Sequence, residues 1–154
     1  MTADNPDPMR RALDEARAAG ADGDVPVGAV VTQHGLIVAV GRNRMRADAD
    51  PTAHAEMVAL RAAAAALDTS RLDGCELWVT LEPCAMCAAA IGLARISRLH
   101  FAAPDPKGGA VLHGPRLYGQ ETCHHAPEVF AGVGEAQAQE AGELLRAFFR
   151  ARRP

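Results

Sequence analysis

The chain has 154 residues, 49% of them hydrophobic, and its sixteen basic and nineteen acidic side chains leave a formal net charge of −3. That length suffices to bury a core without disulfide staples and is expected to form a single domain over residues 1–154; the charge excludes a chain-wide basic footprint for nucleic acid, so any such footprint must be local. With no apolar run of eighteen residues, and no apolar core before a small-residue cleavage site in "MTADNPDPMRRALDEA", the expectation is a cytoplasmic protein without a membrane partner.

Met9, Leu13 and Ala16 fall near helical spacing and predict a helix over 9–19, ended by Gly20. "VPVGAVVT" (25–32) and "LIVAVG" (36–41) are apolar, β-branched runs separated by "QHG", the pattern of a hairpin. "RNRMRADADPT" follows as a polar loop, and its Thr52 is the expected N-cap of a helix from Ala53 to Leu67. "CELWVTL", Cys75 to Leu81, reads as a buried strand with Trp78 and Cys75 in the core; it hands directly to a helix over "EPCAMCAAAIGLARI", with Pro83 near the first helical position. "RLHFA" (98–102) is a short strand, "PDPKGGA" a turn-rich loop, "APEVFAGV" a further strand candidate and "AQAQEAGELLRAFFRARR" a terminal helix. Strands alternating with helices predict an α/β sandwich whose sheet is partly parallel.

Four cysteines, Cys75, Cys84, Cys87 and Cys123, are few for a secreted disulfide framework, which leaves thiol chemistry or metal binding for the close pair in "PCAMC". Cys84 and Cys87 stand three apart, so on a helix they share a face. Both fall in the first turn, where unpaired N–H groups and the positive dipole end favour thiolates. His54, in "HAE" at another helix start, supplies a third donor, and a Cys/Cys/His set suits Zn²⁺. Three protein ligands leave a position for water, which separates a catalytic zinc from a closed structural one. Glu56 reaches the same space from the helix end and is placed to shuttle protons rather than to bind metal. "HAE" alone is common by chance, and the cysteine pair alone also fits a redox motif or half of a structural zinc site. Together, about thirty residues apart with room for a βα unit between them, they point to catalysis and form the signature of the zinc nucleobase deaminases.

Beyond that signature, "DVPVGAVV", "NR", "DPTAHAEMVALR", "LWVTLEPCAMCAAAI", "ARI", "DPKGGA" and "FFRARR" resemble, in order and spacing, the bacterial tRNA-specific adenosine deaminases, which convert a wobble adenosine to inosine. The resemblance implies a cytidine deaminase-like, three-layer α/β/α sandwich with a mixed five-stranded sheet. It also implies a homodimer, one Zn²⁺ per subunit, no organic cofactor, and a tRNA anticodon stem-loop as partner. On this resemblance His54, Cys84 and Cys87 hold the metal, while Glu56 takes the water proton, delivers one to ring N1 of a flipped adenine and helps ammonia leave. Asn43 would bind the base or ribose and the backbone of Ala55 would lie against the ring.

Asp105 and Lys107 correspond to a loop that touches nucleotides flanking the target, although Asp105 between two prolines departs from the familiar motif and also fits a solvated turn. In the tail, Phe149, Arg150 and Arg153 would stack a splayed base and meet phosphates; an amphipathic helix with Phe148 in the core and solvated arginines has the same appearance. Arg42, Arg44 and Arg46 pose the same choice. "CHH" at 123–125 looks like metal-ligand material, but adjacent side chains rarely converge on one ion, and the segment 114–129 has no assignment. The alternative function is a zinc deaminase of a free nucleobase or nucleoside (guanine, cytosine or cytidine), which would use the same four residues and have no need of "FFRARR". A non-catalytic zinc protein would have no use for Glu56.

Overall fold

The computed structural model describes residues 7–132 and 134–152. In chain order the elements are α1 (Pro8–Ala21), β1 (Gly28–Gln33), β2 (Leu36–Arg42), α2 (Ala55–Leu67), β3 (Cys75–Leu81), α3 (Ala85–Leu93), β4 (Arg98–Ala103), a 3-10 turn (Leu117–Gly119), β5 (Glu128–Ala131) and α4 (Glu135–Arg152). The five strands form one mixed sheet in the order β2-β1-β3-β4-β5. β1 is antiparallel to both β2 and β3, whereas β3, β4 and β5 run parallel.

The two faces are covered by different helices, as the period-2 alternation of buried strand residues requires. Ala29, Val31, Leu77, Val79, Leu99 and Phe101 point into a core shared with α2 and α3. Val30 and Ala102 point the other way, against Met9 and Leu13 of α1 and Ala141 of α4. The result is the expected three-layer α/β/α sandwich. Glu140 of α4 is ion-paired with Arg10 and lies 3.1 Å from Arg17, both on α1, which ties the outer helices together. The β1–β2 hairpin closes through His34 and Gly35, both at positive φ (52° and 77°), the left-handed pair that a two-residue turn demands.

Two glycines let the helices approach the sheet on opposite faces. A methyl on Gly28 would fall 1.9 Å from the Ala12 carbonyl of α1, and one on Gly41 would fall 2.6 Å from both the Ala55 carbonyl and the Ala59 nitrogen of α2. The second contact fixes the start of α2.

Several element ends differ from the expectation, each for a local reason. α1 runs through Gly20 to Ala21, and the chain turns instead at Gly23, with φ 87°. β1 begins at Gly28 rather than Val25, because Pro26 has no N–H to donate and the Val27 N–H is spent on the Val25 carbonyl at 2.8 Å. Thr52 does not cap α2: its hydroxyl donates to Asp50 at 2.7 Å, and the helix starts at Ala55 with His54 as N-cap. α3 starts at Ala85, past Pro83, because Cys84 is extended (φ −73°, ψ 176°). It stops at Leu93, where the following Arg95 adopts φ 66°.

Gly41→Ala is expected to destabilise the protein by about 1–3 kcal/mol, the usual cost of overpacking. Gly119→Ala, whose methyl meets nothing within 4 Å, should change stability by less than about 0.5 kcal/mol. Urea midpoints of the two variants check this; a Gly41→Ala protein as stable as its parent would contradict the close approach of α2.

Candidate metal centre and its cleft

His54 and Cys84 are the N-caps of α2 and α3, and Cys87 sits in the first turn of α3. Asn43 places the start of α2: its Oδ1 accepts the Ala55 N–H at 2.8 Å, standing in for the cap that the His54 side chain does not make. The turn before α3 is tied to a distant loop, since the Pro83 carbonyl accepts the Ala110 N–H at 2.9 Å. These anchors bring His54 Nδ1 to 3.5 Å from the Sγ of Cys84 and 3.5 Å from the Sγ of Cys87. The three donor atoms lie within 4.8 Å of one another, and among the described residues this is the group of His, Cys, Asp and Glu able to share an ion.

The set fits zinc. Bonds of about 2.0–2.1 Å to nitrogen and about 2.3 Å to sulfur at a tetrahedral angle put the two donor atoms about 3.5 Å apart, the spacing found here. The thiols are free rather than paired as a disulfide. Cys84 is drawn down to about 4, first by the Cys87 thiol and next by the His54 imidazole that face it; Cys84, and then burial, raise the Cys87 thiol. The Cys84 thiolate in turn raises His54. A cation seated among the three would replace these shared protons, as metal ligation requires.

Glu56 stands on the second residue of α2 and is 4% exposed. Burial pushes its carboxyl up to about 7, which leaves it able to hold or release a proton near neutrality. His54, Glu56 and Cys84 line a cleft of ≈ 190 Å³ that Asn43 and Asp105 also border. Asn43 is buried and donates one amide hydrogen to the Val25 carbonyl at 3.0 Å, so the other remains for a ligand. The Ala55 N–H is taken by Asn43.

Of the remaining expected positions, Asp105 borders the cleft, whereas Lys107, Phe149 and Arg150 do not line it. Asp105 Oδ1 accepts from the N–H groups of Lys107 (3.2 Å) and Gly108 (3.0 Å), so the carboxylate shapes its own turn. Lys107 is exposed and does not line the cleft. Phe149 is 48% exposed and meets Phe148 edge-on at 5.4 Å; Arg150 is exposed. Arg153 lies outside the described residues. Of the Arg42, Arg44, Arg46 cluster, Arg44 is paired with Asp48 at 2.9 Å and Arg42 lies 3.7 Å from Asp22. Two of the "CHH" residues are engaged with backbone: the Cys123 thiol donates to the His125 carbonyl, and His125 Nε2 donates to that of Ile96.

Sequence reasoning passed over Val25, Met45 and Glu82, which also border the cleft. For Met45 the only signal was proximity to "NR", and for Val25 its place in "DVPVGAVV". Glu82 stood in plain view in "LEPC". Burial pushes its carboxyl up, but the N–H groups of Asp105, Leu112 and Val111 and the His113 imidazole outweigh that and hold it below the usual range.

Comparison with known proteins agrees with this geometry. The sequence model of the cytidine and deoxycytidylate deaminase zinc-binding region matches residues 3–103. A tRNA-specific adenosine deaminase of Agrobacterium fabrum is 53% identical over 145 residues, 94% of this chain and 93% of that one. A structure solved in a study of A-to-I editing by tRNA:A34 deaminases at the wobble position superposes with a TM-score of 0.80 at 54% identity, covering 81% of this chain and 96% of the other. A guanine deaminase from Nitrosomonas europaea superposes with a TM-score of 0.78 at 29% identity, covering 96% and 85%.

Replacing Cys87 or His54 by Ala is expected to weaken zinc binding by more than about 100-fold, beyond the 10–100-fold typical of losing an outer-shell partner. Competition against a chromogenic chelator measures this, and unaltered affinity in either variant would remove that residue from the ligand set.

Proposed function

Because the chain belongs to the cytidine and deoxycytidylate deaminase family, we propose that it is a tRNA-specific adenosine deaminase, which hydrolyses the wobble adenosine of an anticodon stem-loop to inosine. The zinc-competent trio beside a buried carboxyl in a small cleft carries the deaminase reading, and the 53% identity to a tRNA-specific adenosine deaminase favours adenosine in tRNA as substrate. The protein is an enzyme of tRNA modification. His54, Cys84 and Cys87 hold one zinc ion per subunit; when bound, zinc supplies the Lewis acidity that makes water a nucleophile at neutral pH. Glu56 would take one proton from the attacking water and deliver it to ring N1, then take the second from the new C6 hydroxyl and deliver it to the departing amine, so that ammonia leaves and the C6 carbonyl forms. Both jobs need one carboxyl that gains and loses a proton without leaving the site, and burial at the helix start holds it there.

The cleft, at ≈ 190 Å³, lies below the roughly 300–1,000 Å³ of pockets that enclose drug-sized ligands. It suits a single heterocycle swung out of a single-stranded loop. Asn43 offers its remaining amide hydrogen to the base, and the Ala55 backbone borders the ring. Lys107, Phe149, Arg150 and Arg153 serve the RNA outside the cleft, the cations on phosphates and Phe149 as a stacking face. We place the enzyme in the cytoplasm; no helix among the described residues is long and apolar enough to cross a membrane. It acts as a homodimer, for which the apolar hollow along α3, with Leu93 80% exposed, is the supporting feature.

The likeness to a guanine deaminase at 29% identity favours one second reading, deamination of a free base such as guanine, or of cytosine or cytidine. Incubating the protein with a tRNA transcript carrying A at the wobble position, and separately with adenosine, cytidine and guanine, decides between them. Inosine in the tRNA alone is the expected result; ammonia from a free base alone would overturn it. Deleting residues 146–154 should abolish tRNA turnover, whereas an enzyme of free bases would keep its activity.

Glu56→Gln is expected to keep zinc and lose inosine formation by about 10²–10⁴-fold, the usual worth of a general acid–base. Metal analysis beside single-turnover rates checks both halves, and full activity in the variant would end the catalytic assignment.

A further inference from the structure

Glu82 is a buried anion surrounded by the donors of a single loop. Its side chain is 0% exposed. Oε1 accepts the Asp105 N–H at 3.0 Å and His113 Nδ1 at 2.7 Å, while Oε2 accepts three consecutive amides, Val111 (3.2 Å), Leu112 (2.9 Å) and His113 (3.2 Å). The loop closes around the carboxylate so tightly that a methyl on Gly109 would lie 2.5 Å from it and 2.5 Å from the Asp105 carbonyl. None of these donors belongs to the metal-binding turns, yet Glu82 stands two residues before Cys84. Through this side chain the loop over 104–113, which has no helix or strand to fix it, is registered against the start of α3.

The consequence concerns the cleft, because Asp105 and Gly108 of that loop line it together with His54 and Cys84. We propose that Glu82 is a positioning residue, which sets the place of the 104–113 loop beside the metal centre and so fixes the shape of the cleft that admits the target nucleotide. This rests on the deaminase reading above. The carboxylate does not touch the reacting atoms; it faces the loop. A buried carboxylate demands such donors, since an anion without them costs far more than the folded state can absorb. Five hydrogen bonds on one charge therefore do what packing does elsewhere: they give an irregular segment one position.

Glu82→Gln keeps the shape but puts an NH₂ group among N–H donors, and Gly109→Ala forces the loop and the carboxylate apart without removing the charge. Both variants and the parent are compared for zinc content, for amide hydrogen exchange at residues 105 and 111–113, and for kcat and KM on the tRNA transcript. Zinc should stay, exchange at those amides should accelerate by at least about tenfold, and KM should rise by about tenfold with kcat within about threefold, the pattern of lost substrate binding with intact chemistry. Unchanged exchange, loss of zinc, or a fall in kcat with KM unmoved would each overturn the proposal. Should Glu82→Gln fail to fold, Gly109→Ala decides alone; if neither folds, Glu82 is a folding residue and the proposal is lost. A parent that makes no inosine refutes the enzyme reading and not the clamp, which the exchange rates then judge, whereas an active parent with variants of normal KM and exchange refutes the clamp alone.

Discussion

Three soft donor atoms can share one ion only if two helix starts arrive at the same edge of the sheet, and strand direction guarantees that they do. β2 and β3 are both antiparallel to β1, the strand between them, so they run the same way, and β4 is parallel to β3. Each of the three ends at the same edge. α2, α3 and the 104–113 loop therefore begin there side by side, delivering His54 and Glu56, Cys84 and Cys87, and Asp105 in turn. Ligand sites at the carboxyl ends of strands in open α/β sheets follow from this geometry. The first hairpin, closed by His34 and Gly35, is what reverses β1 and lets its neighbours agree.

At that edge two buried glutamates answer to opposite environments. Glu56 has few donors around it, so burial dominates and favours the neutral acid; Glu82 is as deeply buried but is met by five N–H groups, which favour the anion. One carboxyl is free to exchange a proton, and the other is committed to holding backbone in place. Their residues are 4% and 2% exposed, and Glu82 is the one ringed by N–H donors. A reacting centre needs both kinds: a group whose charge can change, and surroundings that do not move when it does.

Much of this was legible in the sequence, where the period of the pattern carries the information. Cys75–Leu81 was readable as a strand to the residue, and an α/β sandwich with a partly parallel sheet followed from the order of elements, its three layers from the family resemblance. The paired motifs put His54, Glu56, Cys84 and Cys87 on one list because such residue types at such spacings are scarce by chance. The misplaced helix starts at the site have partners outside the hydrophobic period, some of them distant. Thr52 looked like a cap, but Asp50 took its hydroxyl while Asn43, twelve positions before Ala55, supplied the cap instead. Pro83 looked like a first helical residue, yet its carbonyl is bound to Ala110 across the cleft edge. Glu82 left no periodic trace at all, because its donors are main-chain amides, which every residue but proline possesses.

The surface charge explains why recognition of RNA must be concentrated. Most arginines near an acid are already matched: Arg10 and Arg17 with Glu140, Arg42 with Asp22, Arg44 with Asp48, Arg98 with Glu76 and Glu128, and Arg146 with Glu143. A matched cation gains little by moving to a phosphate, since it must first give up its partner. With a net charge of −3, the chain also repels a polyanion at long range instead of steering it. On the tRNA reading, affinity then has to come from a few short-range contacts and from the base itself inside the cleft. Such an interface favours a single-stranded loop, whose base can leave the stack at small cost, over duplex, where the same weak phosphate attraction would have to supply the whole of the unstacking energy.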